Sequence, residues 1–216
     1  MSYSVIVVGA GSGTRFSTQE NKLLFQLKDN TPVIKKTLSV FLNDPDCFEV
    51  VLVASDQLVN HFKEGMNFPA KMVITTGGMS RQESVYNGLL AVAGDYVLIH
   101  DGARPWINIE DVKAVVKALE KEKAVCLTTK ITDTVKVVEG NHIVNTLNRE
   151  ELRAAQTPQG FHLKELVKCY KDAIKAGIVC TDDSQLYQLM SGKKVYYVDA
   201  KYPNQKITTL EDVKGK

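Results

Sequence analysis

Met1-Ser2-Tyr3-Ser4-Val5-Ile6-Val7-Val8-Gly9-Ala10-Gly11-Ser12-Gly13-Thr14-Arg15 opens the chain. Val5 to Val8 is a short run of β-branched residues with no polar member, the pattern of a strand covered on both faces, and it leads straight into a glycine-rich turn. Glycines there let backbone N–H groups close around phosphate oxygens that a Cβ would hold away. The spacing decides among phosphate-binding loops. A dinucleotide fingerprint calls for a third glycine at position 14, which is Thr14, and a P-loop calls for a Gly-Lys-Ser/Thr ending that is absent. What remains is a glycine loop closed by Arg15 and followed seven residues later by Lys22, two cations beside a turn shaped for phosphate.

Working outward, further β-branched runs predict strands at Val50 to Ala54, Met72 to Thr75, Tyr96 to His100, Val125 to Thr129 and Val195 to Val198. Between them, 3.6-residue periodicity predicts helices at Val33 to Leu42, Gln57 to Phe62, Gln82 to Val92, Ile109 to Glu122, and Lys164 to Ala176 ending at Gly177. Apolar strands alternating with helices predict an α/β fold, a mainly parallel sheet with helices on both faces. Ligands of such sheets bind beyond the carboxyl ends of the strands. One segment interrupts the alternation: Thr134 to Val138, a turn at Glu139-Gly140-Asn141-His142, and Ile143 to Leu147 read as an inserted β-hairpin arm spanning about 132–149. An isolated ribbon is marginal in water, so this arm is expected to pack against something, such as another copy of the chain.

The length, 216 residues, suits one domain with an embellishment, 1–216, large enough to bury a core without metal or disulfide staples. Lys and Arg number 27 against 25 Asp and Glu, a net charge of +2, which gives no field arguing for nucleic acid or an anionic membrane. An anionic ligand must therefore be gripped locally. The amino terminus has none of the features of a signal peptide, and a cytoplasmic protein is expected. Cys47, Cys126, Cys169 and Cys180 show neither metal-ligand spacing nor a disulfide framework, and reduced, mostly buried thiols are expected.

Two more polar motifs follow predicted strands. In Gly77-Gly78-Met79-Ser80-Arg81-Gln82-Glu83-Ser84, Ser80 and Glu83 fit a capping box, while Arg81 adds a charge suited to an anion at a helix start. The free N–H groups of this helix start would point at whatever lies beyond the sheet, beside Gly78 and Ser84. In His100-Asp101-Gly102-Ala103-Arg104-Pro105, the acid suits a divalent cation and Arg104 an anion, although an Asp101 to Arg104 pair bracing a turn is the plainer alternative. His100 reads as a hydrogen-bonded, partly buried side chain rather than a base.

These motifs, with Thr132-Asp133-Thr134, Gln156-Thr157-Pro158-Gln159, Thr181-Asp182-Asp183 and Lys206-Ile207-Thr208-Thr209, stand in an order that resembles the 2-C-methyl-D-erythritol 4-phosphate cytidylyltransferases from Gly9 to Thr209. The resemblance implies a Rossmann-like nucleotidyltransferase fold, a homodimer interlocked through the arm, Mg2+, and CTP and a sugar-alcohol phosphate as substrates. It implies catalytic roles for Arg15, Lys22 and Lys206, and nucleotide binding by Ala10, Gly11, Gly13, Gly78, Arg81, Ser84 and Asp101. Asp101 would also face the metal. Arg104, Thr134, Arg149, Thr181 and Asp182 would hold the acceptor, Thr134 and Arg149 reaching across the dimer. Two positions depart from the family's pattern: Gly9, where Ala is more frequent, and Met79, where an acidic or polar residue is. The alternatives are a ribitol-5-phosphate cytidylyltransferase, and a nucleotide-binding module without turnover. Against the last stands the set Arg15, Lys22, Asp101 and Lys206, which a mere binder has no need of.

Overall fold

The computed structural model describes residues 1–11, 16, 21–65 and 69–213. Its elements run β1 (Tyr3–Gly9), α1 (Val33–Leu42), β2 (Cys47–Ala54), α2 (Asp56–Gly65), β3 (Met72–Thr76), α3 (Arg81–Ala91), β4 (Tyr96–Asp101), α4 (Ile109–Leu119), β5 (Ala124–Lys130), β6 (Lys136–Glu139), β7 (His142–Thr146), β8 (Arg153–His162), α5 (Leu163–Ala176), α6 (Asp183–Ser191) and β9 (Tyr196–Asp199). Seven strands form one sheet in the order β3-β2-β1-β4-β8-β5-β9, while β6 and β7 pair only with each other. All neighbours in the large sheet are parallel except β8, which runs antiparallel to both β4 and β5.

Alternation along the strands divides the core into two layers. Val5, Val7, Leu52, Leu98 and Leu127 face the layer built by α1, α2 and α4 through Phe41, Leu58, Phe62 and Val115. Ile6, Val51, Val53, Val97 and Ile99 face α3, α5 and α6 through Leu89, Tyr170 and Tyr187. The period of two that sends successive side chains to opposite faces thus makes each central strand apolar throughout. The mostly parallel α/β sheet with helices on both faces, expected from the sequence, is the fold observed.

Two elements differ from expectation. Neither is among the elements expected from the sequence: Arg153–His162, which carries the Gln156–Gln159 motif, is a strand, and Asp183–Ser191, which follows Thr181-Asp182, is a helix. Pro158 and Gly160 disguise the strand, since both are ordinarily strand breakers. The register between β5 and β8 shifts between Cys126 and Thr128, which takes up the irregularity opposite Gln156 to Pro158. The hairpin is present, with Gly140 in the left-handed region (φ 56°) that its turn requires.

The sheet order places the site. The chain leaves β1 towards β2 and β3 on one side and then crosses to β4 on the other, so β1 and β4 flank the topological switch point, where loops diverge and leave a crevice. Close packing of α3 against this region depends on Gly88. A Cβ there would lie 2.7 Å from Ile6 Cγ2 and 2.9 Å from Val53 Cγ2. Gly88→Val is therefore expected to lower unfolding free energy by about 1–3 kcal/mol through overpacking. Leu90→Ala, at an exposed position of the same helix, should stay within about 0.5 kcal/mol. Urea denaturation of the two variants measures the difference.

Candidate active site

A cleft of about 580 Å³ opens at the carboxyl ends of β1, β3 and β4. Its walls include Ala10 and Gly11 after β1, Gly78 to Arg81 and Ser84 at the start of α3, Asp101 and Ala103 after β4, Lys22, and Lys206 and Thr208 near the carboxyl terminus. Eight residues singled out from sequence therefore converge here: Ala10, Gly11, Lys22, Gly78, Arg81, Ser84, Asp101 and Lys206. Gly13 and Arg15 lie outside the described residues.

Each wall is shaped by local hydrogen bonding. At the start of α3, Ser80 Oγ accepts from Glu83 N (3.0 Å), as the capping box predicts, but the Glu83 carboxylate accepts from Met79 N (2.7 Å) rather than from Ser80 N. Ser84 is buried. Its hydroxyl donates to Ser80 O (2.8 Å) and accepts from Gly78 N (3.0 Å), so a group that the family resemblance assigns to the nucleotide also fixes the Gly77-Gly78 turn. That turn leans against the β1 loop so closely that a Cβ on Gly77 would collide with Ala10. Met79, by contrast, is 98% exposed at the rim.

Asp101 is the electrostatic centre. Its carboxylate, in a residue only 7% exposed, meets Lys206 Nζ at 2.9 Å, Arg104 Nε at 3.5 Å and Arg81 NH2 at 3.5 Å. Burial alone raises a carboxyl pKa, but Lys206, Arg81 and Arg104 together outweigh it and hold Asp101 ionised, well below the usual carboxylate range. The Asp101–Arg104 pair braces its turn, the plainer of the two sequence readings, and the acid also lines the cleft. Arg104 is drawn inward, NH1 donating to Asn204 O at 2.7 Å, and burial lowers its pKa.

Arg81 is held from the other side. NH1 and NH2 donate to the two carboxylate oxygens of Asp183 at 3.2 and 2.8 Å, Tyr170 Oη bonds the same carboxylate, and Asp183 raises the Arg81 pKa. Asp183 is completely buried and was not picked out as a site residue. The signal was its place in a polar triplet, of which Asp182 is the N-cap of α6, accepting from Gln185 N at 2.8 Å.

Lys206 is delivered by a segment pinned at both ends. Ile207 N donates to Ala103 O (2.8 Å), and Asp212 accepts from Thr208 N and Thr209 N (both 2.8 Å), hydrogen bonds that lower its pKa to about 2. Lys22 Nζ reaches Ile207 O at 3.4 Å, joining the β1 loop to the same segment.

The acceptor set is divided. Arg104 lies behind Asp101, Thr181 and Asp182 sit at the α6 cap, and Thr134 and Arg149 stand exposed beside the arm, Arg149 NH1 donating to Thr132 O (2.8 Å). None of these five is among the described residues lining the cleft. The arm itself exposes Val138 (61%) and Ile143 (64%). His100 is fully buried rather than partly so, and burial lowers its pKa to about 4. Cys47, Cys126 and Cys169 are buried free thiols and Cys180 is partly buried.

Residues 3–215 match the protein family described as IspD, 2-C-methyl-D-erythritol 4-phosphate cytidylyltransferase. The chain belongs to that family. The enzyme so named from Bacillus mycoides is 38% identical over 98% of this chain and 94% of its own, and that from Halalkalibacterium halodurans is 38% identical over 99% and 94%. The crystal structure of 4-diphosphocytidyl-2C-methyl-D-erythritol synthase from Anaerococcus prevotii superposes with a TM-score of 0.86 at 31% identity, covering 98% of this chain and 94% of that one. The Thermus thermophilus cytidylyltransferase gives 0.80 at 29%, covering 99% and 96%. The fold is that of these nucleotidyltransferases, and the chain is a cytidylyltransferase by family.

The buried carboxylate of Asp183 is the closer of the two that balance Arg81, so Asp183→Ala leaves that cation with only the longer Asp101 contact and is expected to cost about 3 kcal/mol of stability. Asp182→Ala, which removes a helix cap, should cost about 1 kcal/mol. Denaturant midpoints at neutral pH distinguish the two.

Proposed function

We propose that this chain transfers the cytidylyl group of CTP to 2-C-methyl-D-erythritol 4-phosphate, giving 4-diphosphocytidyl-2-C-methyl-D-erythritol and pyrophosphate in isoprenoid precursor synthesis. The observation that carries the reading is the convergence of Lys22, Lys206 and Arg81 on a glycine-walled cleft at the switch point of a chain in this family. A phosphate monoester has a second pKa of about 6, so the acceptor phosphate is ionised at neutral pH and needs no general base. One of its oxygens attacks the α-phosphorus in line, the bond from that phosphorus to the bridging oxygen breaks, and pyrophosphate leaves with the electron pair. His100, buried and hydrogen-bonded through both ring nitrogens, has no part in moving a proton to or from substrate.

Catalysis then consists of alignment and charge neutralisation. The N–H groups around Gly11, with Lys22, Lys206 and Arg15, would receive the triphosphate, and the Gly78 to Ser84 turn the cytidine. Asp101 would hold Mg2+. The described residues contain no cluster of three or more ligating side chains, and one buried carboxylate with substrate phosphates is the donor set Mg2+ ordinarily takes. When bound, the ion would neutralise phosphate charge.

Acceptor binding is assigned to Arg104, Thr181 and Asp182 and, from a partner chain in a homodimer, Thr134 and Arg149. The exposed apolar residues of the arm, and the placing of Thr134 and Arg149 outside the described cleft lining, support that assembly. No described helix is long and apolar enough to cross a membrane. Buried reduced thiols suit a cytoplasmic setting.

Pyrophosphate release with CTP and each acceptor tests the proposal. Methylerythritol phosphate should be the better substrate, and a higher specificity constant for ribitol 5-phosphate would overturn the assignment. Lys22→Ala should cut turnover by about 100-fold with little loss of stability, the scale seen when a preorganised charge stabiliser is removed. For the arm, mixing Arg149→Ala and Lys22→Ala chains should restore part of the activity on subunit exchange, because one site of each mixed dimer then carries neither defect. No recovery after demonstrated exchange would place Arg149 in its own chain's site.

A further inference from the structure

Behind the cleft, four residues close a ring of hydrogen bonds that none of the proposed substrate contacts requires. His100 Nε2 faces Arg104 O at 3.2 Å, Arg104 NH1 donates to Asn204 O at 2.7 Å, Asn204 Nδ2 donates to Thr157 O at 2.7 Å, and Thr157 Oγ1 faces His100 Nδ1 at 3.1 Å. The Thr157 oxygen also accepts from Asp101 N at 3.1 Å. His100, Thr157 and Asn204 are each less than 5% exposed.

The partners fix the hydrogens. A carbonyl only accepts, so Nε2 must carry a hydrogen. In a neutral imidazole with its hydrogen on Nε2, Nδ1 can only accept, so Thr157 Oγ1, which accepts from the Asp101 amide, donates its own hydrogen to Nδ1. With the imidazole in its Nε2–H tautomer every group in the contact between His100, Arg104 O, Thr157 Oγ1 and Asp101 N is satisfied.

We infer that His100, Thr157 and Asn204 are positioning residues for the transfer reaction, acting through Asp101, Arg104 and Lys206 rather than on substrate. His100 immediately precedes Asp101, Asn204 is two residues before Lys206, and Arg104 belongs to the ring. Three segments far apart in sequence are thereby locked in register: the end of β4 with its turn, the middle of β8 at Thr157, and the segment carrying Lys206. The spacing of Arg104 and Lys206 about Asp101 is set from behind by neutral groups, which do not compete for phosphate.

The inference deepens the proposed function, and its test has an arm independent of turnover. In the full-length chain labelled with 15N-histidine, the His100 resonances, assigned by their loss in His100→Gln, should report hydrogen on Nε2 and none on Nδ1 at neutral pH. Hydrogen on Nδ1 would overturn the ring whatever the enzyme's substrate. In kinetics, Thr157→Val should lower kcat by about 100-fold, the scale of an ångström-sized misplacement, and leave the KM for CTP within about threefold. Thr157→Ser, which keeps the hydroxyl, should recover most of the loss. Equal defects in the Ser and Val variants, or a Val variant with kcat within about twofold of the parent, would overturn the positioning role. Should Thr157→Val not fold, His100→Gln is read by the same criteria.

Discussion

One buried carboxylate with three cations against it organises this active site. Arg81, Arg104 and Lys206 would repel one another if brought together alone, and in a partly desolvated crevice that repulsion is felt more strongly than in water. Asp101 makes their approach possible, and they in turn keep it ionised although it is buried. Among the described residues, Lys22 joins these three cations, and Asp183 is a second carboxylate beside Arg81. Under the proposed function, an incoming triphosphate would meet charges already held at fixed positions, with no reorganisation when charge develops on the departing phosphates.

The sheet order explains how residues from opposite ends of the chain come to share that carboxylate. β1 and β4 are neighbours, and their loops diverge at the switch point, bringing the glycine turn and Asp101 side by side. β8 enters antiparallel between β4 and β5 and brings Thr157 up to the β4 terminus, which a wholly parallel sheet would leave facing solvent or another helix. Beyond β9, the backbone of Lys201 is held by Asp111 on α4 (2.9 Å) before the chain returns across the cleft to Lys206. The site is thus enclosed by the first and last parts of the molecule.

What the sequence shows of this arrangement follows from locality. Strands β1 to β5 and helix α1 are runs whose pattern is complete within a few residues, and they read directly. The glycine turn, the capping box and the His100 to Pro105 segment each follow such a strand, so their place beyond its carboxyl end was legible too. β8 was hidden because its burial comes from partners on both sides, which outweighs the presence of Pro158 and Gly160. Asp183 was hidden because a buried acid looks like an exposed one until its cation is known. Arg81 lies 102 residues away. For Asp182 a local signal did exist: an acid followed three residues later by Gln185 is an N-cap pattern, and Gln185 Oε1 indeed reaches back to Thr181 N at 2.8 Å.

The nucleotide side and the acceptor side of the proposed site also differ in what holds them. Lys206, Arg81 and Asp101 are fixed by buried contacts within one chain. Thr134 and Arg149 flank a ribbon whose residues are all exposed, and two strands alone do not provide a stable platform. The bonds at its base are local: Arg149 to Thr132 O, and Arg153 to Asp199 at 2.9 Å with its guanidinium 5.2 Å from the Tyr197 ring centroid. The first ties the two ends of the arm to each other and the second ties the start of β8 to β9, and Val138 and Ile143 stay uncovered. Under the proposed assembly, a second chain would both cover the ribbon and receive its two polar residues. The part of the site that recognises the acceptor would then be ordered by dimerisation, while the part that grips the nucleotide is built into the fold of each chain.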